Sequence, residues 1–113
     1  MLKYQESILL SKSNAEEVSK SGDLKAICNM LIGLHHVDDF EWAQDFLLSH
    51  LSVDSLDVNR SAIYGLASLA RVYRKIDRDK FRDAVSKMPS ERRSFLAGAI
   101  QDAIEDFDIF ISN

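Results

Sequence analysis

The 113-residue chain contains no threonine, a single proline, four glycines and a single cysteine. Strands and their turns draw on β-branched residues, Gly and Pro, so this poverty nearly excludes an all-β sandwich or barrel. One cysteine, Cys28, excludes an intramolecular disulfide and fits a reducing cytoplasm. No run approaches the roughly 18 consecutive apolar residues of a membrane-spanning helix. The opening Met1-Leu2-Lys3-Tyr4-Gln5-Glu6 lacks a basic stretch followed by a long apolar one, so no secretory signal is expected. What is present is 46% hydrophobic and 28% charged residues, enough to bury one core. A single domain spanning residues 1–113 is the expectation.

The net charge of −4 is unevenly spread. Residues 1–59 carry four lysines against ten carboxylates, residues 60–93 ten cations against four carboxylates, and residues 94–113 four carboxylates alone. Overall acidity argues against a general nucleic-acid binder, because phosphate affinity needs cationic surface. The plain reading of the basic block is internal pairing with the acidic blocks, with Arg71, Arg74 and Lys75 closing a helix C-terminus. The other reading is a nucleic-acid backbone contact through Arg71, Arg74, Lys75, Arg78 and Arg82.

Hydrophobic residues recur every 38 positions. Leu24, Ala62 and Ile100 form one series, and Cys28, Leu66 and Ile104 a second. Leu31, Leu69 and Phe107 make a third, and His35, Tyr73 and Ile111 a fourth. Within each copy the offsets trace one face of an α-helix. Between these helices Ala43 matches Phe81, Phe46 matches Ala84, and Leu47 matches Val85. An earlier, degenerate copy falls at Gln5, Ile8 and Leu9. Each unit is therefore an outer helix followed by an inner one. A repeat of this length implies stacked helix pairs, so the expected fold is a short all-α solenoid of about three pairs, near residues 1–36, 37–75 and 76–113.

Helix-end chemistry sets the expected boundaries. Ser13 with Glu16 has capping-box spacing, and Asp23 caps a helix from Leu24 to Leu34. Asp38 and Asp39 precede Phe40 to Leu51, and Asp54 and Ser55 precede a long helix ending near Ile76. Asp77 opens the next helix, and Pro89-Ser90 opens the last.

The stretch Asp57-Val58-Asn59-Arg60-Ser61-Ala62-Ile63-Tyr64-Gly65-Leu66-Ala67-Ser68-Leu69-Ala70-Arg71 resembles the inner helix of a HEAT repeat. Asn59 is a departure, standing between Val58 and Arg60 where that pattern has them adjacent. With Asp38-Asp39-Phe40-Glu41-Trp42 and the closing Asp102 to Phe110, the chain over residues 24–111 is similar to small, free-standing bacterial HEAT-like proteins. That resemblance implies a right-handed solenoid. It also implies a function, since several such proteins are immunity proteins for secreted toxins, including those of contact-dependent growth inhibition.

No catalytic motif stands out. Cys28, His35, His36, Asp38 and Asp39 lie close together, but no C-x-x-C or H-x-x-x-H pair gives them the ligand spacing of structural zinc. Cys28 holds an apolar repeat position and reads as core. There is no G-x-S-x-G elbow, phosphate loop or G-x-G-x-x-G. No enzyme activity, cofactor or metal is therefore expected. Asp102 and Asp106 are i,i+4 like charges, which cost a few tenths of a kcal/mol unless a cation joins them. Either the couple marks a functional surface, or it has an internal partner among Arg78, Arg82, Arg92 and Arg93.

The resulting expectation is a cytoplasmic monomer that covers the working surface of one cognate toxin domain, a nuclease, in a 1:1 complex without nucleic acid or membrane. Candidate contacts are Asp38, Asp39, Glu41 and Asp45 on one turn and helix, and Asp102, Glu105, Asp106 and Asp108 on the last helix. An acidic surface would mimic nucleic acid and steer association. Trp42 and Tyr64 are the candidate aromatic anchors. The alternative is a HEAT-like scaffold or adaptor subunit in a protein complex.

Overall fold

The computed structural model describes residues 11–111. Gln5, Ile8 and Leu9, the expected first repeat copy, lie outside the described residues. Among those described are seven α-helices and no strand: α1 (Lys12–Ser19), α2 (Leu24–Ile32), α3 (Phe40–Ser49), α4 (Leu56–Tyr73), α5 (Arg78–Ser86), α6 (Ser90–Phe95) and α7 (Ala97–Phe110). Short 3-10 turns follow α2 and α3 at Leu34–His36 and His50–Ser52.

Side-chain oxygens start most of these helices by satisfying an otherwise orphaned N–H. Asp23 accepts from the Ala26 N–H at 3.1 Å, and Ser55 accepts from the Val58 N–H at 3.3 Å. Asp39 and Asp77, one 38-residue step apart, accept from the N–H groups of Trp42 and Lys80, each at 3.1 Å.

Three expected boundaries are corrected. The cap of α1 is Ser11, which accepts from the Asn14 N–H at 3.2 Å, so Ser13 falls inside the helix. The long helix stops at Tyr73 rather than near Ile76. There Arg74 turns left-handed (φ 59°, ψ 33°) while its N–H still donates to the Ala70 carbonyl at 2.8 Å, ending the helix with a residue that is seldom found in this conformation. Pro89 opens only the six-residue α6, because Leu96 leaves helical geometry (φ −100°, ψ 6°) with its side chain fully buried, and α7 begins after it.

α4 is the hub. It packs against α2, α7 and α3. α1 packs on α2, and α5 packs on α3. The molecule is 41 × 32 × 19 Å, and its short dimension is two helix diameters. Leu31, Leu69 and Phe107, equivalent in the 38-residue register, are all buried to within 1%. Burying such a side chain contributes about 1.5–3 kcal/mol each. α4 adds Val58, Ala62, Ile63, Leu66 and Ala70, spread over an arc too wide for a single neighbour. Leu24, expected in the same core series, is 46% exposed. Helices α2 and α4 touch at Leu31 and Gly65, and Leu24, two turns back, lies along the open groove described below.

Candidate functional site

The eight candidate acids fall into two sets on different helices. Asp38, Asp39, Glu41 and Asp45 belong to the start and first turns of α3, while Asp102, Glu105, Asp106 and Asp108 belong to α7, and α4 packs against both helices. The structure therefore does not merge them into one patch.

Half of them are already paired. Asp39 meets Lys12 at 2.6 Å, and that ammonium, with the Trp42 N–H, holds its carboxyl below the usual carboxylate value. Asp45 meets Lys80 at 3.1 Å and raises the lysine's proton affinity through the same hydrogen bond. Asp106 pairs with Arg71 at 3.1 Å and Asp108 with Arg78 at 2.7 Å. The expected partner of the Asp102–Asp106 couple was one of Arg78, Arg82, Arg92 and Arg93. The cation that arrives is Arg71, because α4 and α7 are neighbours and Arg71 sits 35 residues before Asp106. Glu105 accepts from the Gln101 side chain at 3.3 Å. Asp38, Glu41 and Asp102 are exposed and have no ion-pair partner among the described residues.

The basic block is largely consumed in the same way. Arg60, Arg71, Arg78, Lys80, Arg82, Lys87 and Arg92 each have a carboxylate within 4.0 Å. Arg74 lies over the Phe110 ring at 5.8 Å, and Lys75 over the Phe40 ring at 4.6 Å.

Of the two aromatic candidates, Trp42 is half-buried. Its indole stacks on Phe46 at 4.7 Å, and the Lys12 ammonium lies 5.9 Å from its ring, so it fills the seam between α1 and α3. Tyr64 is 42% exposed. It lines a groove of about 550 Å³ between α2 and α4, with Leu24, Cys28 and Ile32 opposite and Lys25 and Arg60 at its edges. Tyr64 and Asp102 are one register step apart on α4 and α7, which pack together, and both are exposed.

One constellation was not visible in sequence. His50 is buried, its Nδ1 lies 2.8 Å from the Phe46 carbonyl, and its Nε2 lies 2.9 Å from the Ser19 hydroxyl. A carbonyl only accepts, so Nδ1 carries the proton and Nε2 accepts from Ser19. That order matches a hydroxyl activated by an oriented base. Neither residue lines a cavity described for this chain, and the pair ties the end of α1 to the end of α3. Residues 19 and 50 sit on no shared repeat register, which is why the spacing gave no signal.

Among the described residues no group of three His, Cys, Asp or Glu is placed to hold a metal ion, and no helix is long and apolar enough to cross a membrane. Comparison with protein-family models, curated proteins and solved structures returned no significant match.

Proposed function

We propose that the chain is a small protein-binding module of short right-handed α-solenoid form, built of three HEAT-like units near residues 1–36, 37–75 and 76–113. Its task is that of an immunity protein: it covers the working surface of a cognate secreted toxin domain, a nuclease, in a 1:1 complex in the cytoplasm. The observation carrying this reading is the exposed surface of α2, α4 and α7. That surface presents Tyr64 beside an open groove and, one register step on, the unpaired carboxylate of Asp102 with Glu105 beside it. An aromatic anchor next to desolvatable acids suits a cationic cleft, and opposite charge speeds the encounter. Asp38 and Glu41 form a second acidic contact in this proposal. Asp39, Asp45, Asp106 and Asp108 join only by exchanging their internal cations for those of the partner, which costs little because exposed pairs are weak.

The internal neutralisation of those four acids also favours the adaptor reading, in which the same face holds a subunit without electrostatic mimicry. A pull-down with the tagged chain from its native cells, followed by calorimetry on the partner, separates the two. A single stoichiometric toxin domain is expected. Asp102→Lys with Glu105→Lys should weaken it by about tenfold or more while the helical circular dichroism is retained. A set of enzyme subunits in place of a toxin, or an affinity unmoved by the double reversal, would overturn the immunity reading or its site.

A further inference from the structure

Between α5 and α7 lies an apolar cavity of about 270 Å³. Its floor and walls are Phe81, Val85, Ile100, Ile104 and Phe107. Each lies 38 residues after a fully buried residue: Ala43, Leu47, Ala62, Leu66 and Leu69 in the same order. Those five belong to the core shared by α3 and α4, on which α5 and α7 respectively pack. The cavity is thus the register equivalent of a place that inside the molecule is covered by helices. Here it is open, and Val85, Ile100 and Ile104 are only partly buried.

The rim differs in kind. Register positions 40 and 44 are Phe40 and Gln44, and one step later they become Arg78 and Arg82. Gln44 is buried, and its Oε1 accepts the Asp77 N–H at 2.7 Å, joining the pair before to the pair after. A guanidinium has donors only, so Arg82 cannot repeat that contact. A helix pair that repeats the Gln44–Asp77 contact is therefore not what this cavity accommodates. Among the described residues the two arginines are the only charged ones lining the cavity. They are held by exposed ion pairs to Asp108 and Asp79, which are weak enough to be exchanged.

The geometry points to this cavity as a docking site for an amphipathic helix of a protein partner, one whose apolar stripe is flanked by carboxylates. The apolar stripe takes the place that α7 takes over α4, and the carboxylates supply the acceptors that Arg78 and Arg82 require. α7 itself has this character, since residues 97–110 carry four carboxylates and no cation. This inference goes beyond the reading above: it concerns the cavity between α5 and α7, not the face bearing Tyr64 and Asp102, and holds whichever protein supplies the helix.

The probe is an acetylated, amidated peptide of residues 97–110, titrated into the intact chain. Methyl NMR at Val85, Ile100 and Ile104 locates it, and anisotropy of a fluorescein-labelled copy gives the affinity. Saturable binding is expected, with shifts centred on those three methyl groups. Replacing the four peptide carboxylates by amides should weaken it about tenfold, as should Arg78→Gln with Arg82→Gln in the chain. Val85→Lys, at a partly exposed wall position, should abolish it with the helical signal intact. Should Val85→Lys fail to fold, the arginine pair and the amide peptide still decide. No saturation up to about 1 mM peptide would overturn the proposal. So would equal affinity of the acidic and amide peptides, or shifts centred on Leu66 and Leu69, which would mean that the peptide displaces α7. Sedimentation of the chain alone as a dimer that Val85→Lys dissolves would assign the cavity to a second copy instead.

Discussion

The carbonyl oxygen of Leu31 occupies the space that a side chain on Gly65 would need. A Cβ built there runs into that oxygen and comes within 2.6 Å of Leu47 Cδ2. Three helices, α2, α3 and α4, converge on this glycine. In an exposed helix, replacing Gly by Ala gains about 1 kcal/mol. Here the backbone of α2 would have to move, and overpacking of this kind costs about 1–3 kcal/mol. Gly65→Ala is therefore expected to lower the urea midpoint, and an unchanged or raised midpoint would show that α2 yields freely.

Asn59, the residue that departs from the HEAT-like pattern, holds the loop between α3 and α4. It is fully buried, and its Nδ2 donates to the carbonyls of His50 and Val53, both at 2.9 Å. Each of those carbonyls also accepts a backbone N–H, His50 from Val53 at 3.4 Å and Val53 from Ser55 at 2.9 Å, so Asn59 adds a second donor to both. Asn59→Leu keeps the volume but removes both Nδ2 hydrogen bonds, for a loss of about 1–3 kcal/mol. Asn59→Asp should cost more, because it sets a buried carboxylate against two carbonyl oxygens. Chemical denaturation of the two variants checks the order, and a milder effect of Asp than of Leu would sink this account.

The apolar part of this fold was legible because burial at helical spacing selects residue size, and the 38-residue step repeated it. Leu31, Leu69 and Phe107 are the clearest case. The polar part was not, although the same step governs it. Tyr73 donates to the Val37 carbonyl across 36 positions, and Arg71, Lys80 and Arg92 reach Asp106, Asp45 and Asp54 across 35, 35 and 38. Long side chains swing by a turn either way, so register narrows their partners without naming them. The break at Leu96 had no Gly or Pro to announce it. Of the candidate site, Tyr64 was legible as off the buried stripe and the acids as two sets on two helices, whereas the cations that neutralise four of them follow from packing alone.

The Arg71–Asp106 pair links α4 to α7 at the surface, with Arg71 about half exposed and also over the Phe110 ring at 5.1 Å. Surface pairs contribute about 0–1 kcal/mol. A double-mutant cycle with Arg71→Ala and Asp106→Ala should give a coupling below about 1 kcal/mol that shrinks in high salt. Arg71→Ala alone should cost more than Asp106→Ala, because it also removes the contact with Phe110. Equal single-mutant losses would mean that the ring contact contributes nothing.

His35 should make stability depend on pH near neutrality. Burial lowers its proton affinity first, the neighbouring His36 and Arg71 lower it further, and only the Ile32 carbonyl opposes them. Its Nδ1 is buried without a hydrogen-bond partner, and the two histidine rings lie 4.2 Å apart. In the unfolded chain His35 takes up its proton near the ordinary value of 6.5, whereas the folded chain resists until a lower pH. Between those points the unfolded state binds more protons, so stability falls as pH drops through 6.5 and levels off below the folded value. The depressed carboxyl of Asp39 acts in a separate, more acidic window, its contribution being lost as pH falls from about 3.8 downward. His35→Phe keeps an aromatic ring and removes the titration. Unfolding free energies of the two proteins between pH 8 and 5 should diverge as the medium is acidified, the wild type losing more. Parallel curves across that range would mean that the buried ring takes up its proton as readily folded as unfolded.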